Sequence, residues 1–143
     1  MPDKLSLATL LEAAKRGVAV RIIVPGTRTD QLVVRRASRT LWGPLLKAGV
    51  EIYEYRPTMY HCKVMVVDGI WTSVGSTNFD SRSFRLNDEA NLNVYDADFA
   101  AEETRNFESD VRRSEQVTWK RWKRRPWTEK LIERFALLFR SQI

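Results

Sequence analysis

The chain has 143 residues, 43% of them hydrophobic and 29% charged, which fits one folded domain with a core of its own rather than two. A lone cysteine, Cys62, excludes an internal disulfide, and one cysteine with one histidine argues against a tetrahedral zinc site within the chain. No apolar run approaches the roughly 18–20 residues that span a bilayer. The net charge of +6 is unevenly placed: residues 1–118 carry 16 Lys+Arg against 16 Asp+Glu, and residues 119–143 carry 8 against 2. A neutral body with a basic tail favours a local anionic contact, a membrane surface first, over general affinity for nucleic acid.

In chain order, Leu5 to Arg16 has helical spacing, with Leu7, Leu10, Leu11 and Ala14 on one face and Gly17 as the stop. The start therefore reads as an amphipathic helix, not as the apolar core of a secretory leader. Val18 to Val24 is a nearly continuous β-branched run closed by Pro25-Gly26, the pattern of a strand buried on both faces. A helical stretch from Asp30 to Ala48 follows, with a kink or break expected at Gly43-Pro44, and then a short strand, Val50 to Tyr55. Helix and strand alternating at this spacing predict an α/β sheet with crossover connections. Such a domain rarely opens on a helix, so the sheet is expected to lack its first strand here, through truncation or completion by another chain.

The next unit is a hairpin. Cys62 to Val67 and Ile70 to Val74 are strands joined by the turn dipeptide Asp68-Gly69. A polar loop runs from Gly75 to Asp88, a strand from Glu89 to Tyr95, and a helix from Ala97 to Glu115. The tail, 119–143, reads as a segment distinct from the 1–118 domain. It interleaves Trp119, Trp122 and Trp127 with five cations and continues as a helix from Thr128 to Ser141. Its apolar side, Leu131, Ile132, Phe135, Leu138 and Phe139, suits either a membrane interface or packing on the domain.

The hairpin carries the chemistry. Strand alternation puts His61 and Lys63 on one face, about 6.6–7 Å apart, and turns Cys62 the other way as a small core residue. An imidazole can attack phosphorus or shuttle a proton, and an ammonium can hold a phosphate oxygen. Ser76 and Asn78, beside Gly75, can donate to the remaining phosphate oxygens. Glu89 opens the following strand, where its carboxylate could fix the tautomer of a histidine. Asp68 faces away from His61 and sits in the turn, which by its own geometry reads as structural.

His61-x-Lys63-x4-Asp68-x6-Gly75-Ser76-x-Asn78 places six residues in an 18-residue span. The pattern resembles the HKD signature of the phospholipase D superfamily, and such a spaced set on a strand–turn–strand is specific. Asn78 to Glu89, Val24-Pro25-Gly26, the Val33–Gly49 stretch and Ile52 to Tyr55 resemble the cardiolipin synthase branch, in its carboxy-terminal half. The resemblance implies a phospholipase D-type mixed sheet flanked by helices. It puts His61, Lys63, Asp68 and Glu89 in the catalytic set and has Lys63, Ser76 and Asn78 bind phosphate, with no metal and no cofactor. It further implies a phosphohistidine intermediate, a second HKD half in trans or by homodimerisation, and a phosphatidylglycerol-type substrate at the cytoplasmic membrane, with this chain peripheral to it. The alternatives are a homodimeric phosphodiesterase or nuclease, which the neutral body disfavours, and an inactive fragment. No specific nucleic-acid partner is expected.

Overall fold

The computed structural model describes residues 4–29, 32–78 and 87–138. Helix and strand alternate first: α1 (Lys4–Lys15), β1 (Arg21–Pro25), α2 (Leu32–Arg39), α3 (Trp42–Lys47) and β2 (Glu51–Tyr55). The rest is β3 (Val64–Val67), β4 (Trp71–Gly75), β5 (Asn91–Tyr95), α4 (Ala97–Arg112), β6 (Ser114–Val117), α5 (Trp119–Lys123) and α6 (Trp127–Leu138). The expected α/β class with flanking helices is present. Where one mixed sheet is expected, the described residues form two sheets, ordered β1-β2-β6 and β3-β4-β5.

The first sheet is mixed. β1 runs parallel to β2, with Ile22 opposite Ile52, and β6 runs antiparallel to β2, with Val117 opposite Ile52. This register puts three apolar side chains on one face. They meet Trp42 and Leu45 of α3 and Val50, with Leu7, Leu10, Leu11 and Ala14 of α1 packed around them. The stripe read on the first helix is therefore its buried face. α4 covers the other side, where Glu108 pairs with Arg21 and the Arg21 guanidinium lies over the Phe107 ring. The second sheet is antiparallel throughout and packs on α4 through β3 and β4.

Several local expectations are corrected. The long second helix breaks at Thr40-Leu41 rather than at Gly43-Pro44. Pro44 then falls in the first turn of α3, where its missing N–H costs nothing. Gly43 is needed for packing, because a Cβ there would lie 2.5 Å from the Trp122 ring. The helix from Ala97 ends at Arg112 instead of Glu115, and Ser114–Val117 is a strand. With Val117 its only apolar residue, β6 shows no period; it forms because β2 offers an open edge. Cys62 is exposed rather than a core residue, since the regular strand begins only at Val64.

The basic tail packs on the body. Trp122 joins the main core and donates its indole N–H to the Arg39 carbonyl at 2.9 Å. Trp119 stacks on Trp122 at 5.2 Å, and the Lys47 ammonium sits over its ring. The tail helix is seen over Trp127–Leu138; its expected continuation to Ser141, with Phe139, lies outside the described residues.

Candidate active site

Asp68 and Gly69 both have positive φ, 52° and 64°, the left-handed geometry that an Asp-Gly turn supplies. The turn closes β3 on β4 in register, Val67 opposite Trp71 and Val64 opposite Val74. One step further the pairing persists outside the strand, with the Gly75 N–H donating to the Lys63 carbonyl at 3.1 Å. Lys63 and Gly75 thus sit side by side at the open end of the hairpin. β5 adds Asn91 opposite Gly75. The residues of the signature gather at this end, except Asp68, which sits at the turn about 16 Å away along the strand.

His61 and Lys63 meet as the alternation predicts, although both precede the regular strand. The Lys63 Nζ lies 2.9 Å from His61 Nδ1 and 2.9 Å from the His61 carbonyl, to which it donates. An ammonium donating to Nδ1 leaves the ring proton of a neutral imidazole on Nε2. Partial burial pulls the Lys63 pKa below its ordinary value, while the charges of Cys62 and Glu89 oppose that shift. Glu89 is therefore within electrostatic range of Lys63. Its carboxylate accepts from the Ser76 hydroxyl and, at 3.2 Å, from the Asn87 amide. The Ser76 oxygen in turn accepts the Ala90 N–H at 3.1 Å. His61, Ser76 and Asn78 are exposed, so the cluster opens to solvent.

Two positioning residues, Asn91 and Tyr60, lie outside the signature. Asn91 donates to the Ser73 hydroxyl at 3.2 Å and accepts the Thr77 N–H at 3.2 Å, which fixes the backbone between Ser76 and Asn78. A Cβ on Gly75 would lie 2.1 Å from the Asn91 Oδ1 and 2.2 Å from the Ala90 carbonyl, so only glycine allows this approach. Tyr60 anchors the chain just before His61. Its ring lies 4.8 Å from that of Tyr55, and burial together with Asp110 raises the phenol pKa strongly.

The arrangement joins an imidazole, an ammonium, a hydroxyl, an amide and a carboxylate around an open end, a set suited to a phosphate diester. The family description "Cardiolipin synthase, PLD-like domain" matches residues 1–111. The chain belongs to the phospholipase D-like cardiolipin synthase family. It is 38% identical over 138 residues to a cardiolipin synthase of Geobacillus kaustophilus, covering 96% of this chain and 27% of that protein. It is 40% identical over 139 residues to cardiolipin synthase A of Erwinia tasmaniensis, covering 97% of this chain and 28% of that one. The chain thus spans little more than a quarter of the length of these relatives. In fold it resembles a phospholipase D family member, Nuc from Salmonella typhimurium, with a TM-score of 0.72 at 21% identity over 82% of this chain and 76% of that one.

Proposed function

We propose that this chain supplies one half of a two-histidine phosphatidyl-transfer site acting on a phosphatidylglycerol-type lipid at the cytoplasmic membrane, to which this chain is peripheral. The observation that carries the reading is the Lys63–His61 pair, 2.9 Å apart, beside the Ser76–Glu89 hydrogen bond. Lys63, Ser76 and Asn78 hold the non-bridging oxygens of the diester. When a phosphate oxygen takes the Lys63 ammonium, Nδ1 of His61 is freed to carry the ring proton, and Glu89 is the nearby carboxylate to hold that tautomer. Nε2 then has a lone pair for phosphorus.

In the first step a P–N bond forms as the P–O bond to the leaving alcohol breaks, and a second histidine gives that alcohol its proton. In the second step an acceptor alcohol loses its proton to the second histidine, attacks phosphorus and releases the imidazole. His61 serves as one of these two histidines. It cannot be both, because nucleophile and acid act on opposite sides of the phosphorus. The second comes from another HKD half, in trans or from a second copy. The exposed Met65, Val67 and Tyr95 on the sheet that carries His61 are consistent with a covering half.

The test is turnover of a labelled phosphatidyl donor as a function of protein concentration, with acid-labile label followed on the chain. The expected result is no transfer by monomer, and transfer dependent on His61 once a second half is present. Activity linear in concentration in a sample shown to be monomeric, or transfer that survives His61→Asn, would overturn the reading.

A further inference from the structure

Trp127, Leu131 and Phe135 recur every four residues and so share one face of α6. That face points outward: the three are 73%, 48% and 58% exposed, and Ile132 beside them is 42% exposed. The opposite face carries Glu133, which is 2% exposed, and the buried Ala136. Glu133 accepts from Arg125 at 2.9 Å and 2.8 Å and pairs with Arg39 at 3.1 Å. Arg125 is itself held by the Trp122 carbonyl at 2.7 Å and by stacking on the Trp122 ring. A surface helix ordinarily buries its apolar stripe. Here the polar face is the anchor, and the apolar face is presented.

What fits this face follows from its size and its border. A helix of 12 residues is about 18 Å long, and its apolar arc is no wider than the helix, about 10 Å. That is far below the roughly 800 Å² per partner of a stable protein interface. The border is cationic. Lys130 and Arg134 are exposed on α6, and Lys120, Lys123 and Arg124 are exposed just before it. Glu129, the exposed acid of the helix, is paired with Arg39 at 3.4 Å. An apolar arc with a tryptophan at its end and cations alongside is the pattern of a helix lying in a bilayer interface.

We propose that α6 is a membrane-docking helix that inserts Trp127, Leu131 and Phe135 into an anionic leaflet while Lys130 and Arg134 engage lipid phosphates. The Glu133–Arg39–Arg125 cluster fixes the helix to the body with that face outward. The proposal rests on the phospholipid reading for its setting, but it is tested without any chemistry. The experiment floats the full chain with vesicles of phosphatidylcholine alone and of phosphatidylcholine with phosphatidylglycerol.

The full chain binds the anionic vesicles, and more weakly as salt rises. Leu131→Ser with Phe135→Ser reduces binding by at least about tenfold. Lys130→Gln with Arg134→Gln reduces it on the order of tenfold at low salt. Both variants keep the circular dichroism spectrum and melting temperature of the parent, because neither changes a core residue. Failure of the full chain to float, or floating of either variant as well as the parent, overturns the proposal. So does unfolding of the Leu131→Ser/Phe135→Ser chain, which would make the face part of a core, or a dimer that this variant abolishes, which would assign it to a second copy. A chain that floats through α6 yet transfers no phosphatidyl group even with a second half present would refute the chemistry and leave this surface assignment standing.

Discussion

The two sheets are built from similar strands and live in different environments. β1-β2-β6 is covered on both sides, by α1, α3 and α5 around Ile52 and by α4 through Arg21 and Glu108. β3-β4-β5 rests on α4, yet Val64, Met65, Val67, Leu92 and Tyr95 stay exposed. The first sheet is where this chain buries its core, and the second lies beside His61 and Lys63, the groups proposed to react. A hairpin pinned by an Asp-Gly turn and by side-chain hydrogen bonds can hold His61 and Lys63 in place with little burial. The contrast predicts that stability and activity separate on mutation.

The largest effect falls on the second sheet and on activity alone. In an assembly that turns over, His61→Asn lowers kcat by at least about 10²–10⁴-fold, with the melting temperature unchanged because the ring is exposed. Cys62→Ala, one residue away, leaves both nearly unaltered. A loss from Cys62→Ala as deep as that from His61→Asn would show that the two side chains share the site. Chelation by EDTA leaves activity unchanged if the transfer needs no metal, and inhibition by EDTA would contradict that.

Next comes the converse on the first sheet. Ile52→Ala, at 1% exposure, costs about 2–5 kcal/mol in denaturant unfolding. Met65→Ala, on the open sheet, costs less than about 1 kcal/mol. Equal losses at the two positions would erase the distinction between the sheets.

Gly75→Ala is intermediate. The new Cβ meets the Ala90 carbonyl at 2.2 Å, so the β4–β5 pairing must shift, at a cost of about 1–3 kcal/mol. Because the same shift displaces Ser76 and Asn91, phosphate binding weakens together with stability. A Gly75→Ala chain with unaltered KM and melting temperature would show that this approach is not required.

The smallest effect tests the contact between the first sheet and α4. Arg21 holds the Glu108 carboxyl below the ordinary value of 4.5, chiefly through their hydrogen bond. A depressed carboxylate contributes stability above its unfolded value and loses that contribution as pH falls through its folded one. The pair is partly exposed, so Glu108→Gln costs under about 1 kcal/mol at neutral pH. The difference between variant and parent vanishes in strong acid. A gap that persists there would assign the cost to packing rather than to charge.

The sequence by itself determined the parts with short-range causes. Gly17 and Gly49 end helices at positive φ, 86° and 87°, as placed. Asp68-Gly69 makes the hairpin, and the spacing from His61 to Asn78 names the family because residue types and intervals are read without coordinates. Tertiary structure alone decided the rest. β6 exists because β2 has an edge to pair, not because Ser114-Glu115-Gln116-Val117 has a period. Of the three tail tryptophans, Trp119 and Trp122 pack on the body and only Trp127 stands clear. The helix pattern of Leu131, Ile132 and Phe135 is the same for a buried face and a presented one. Periodicity defines a face but not its direction, and here the direction was set by Arg39 and Arg125 drawing Glu133 inward.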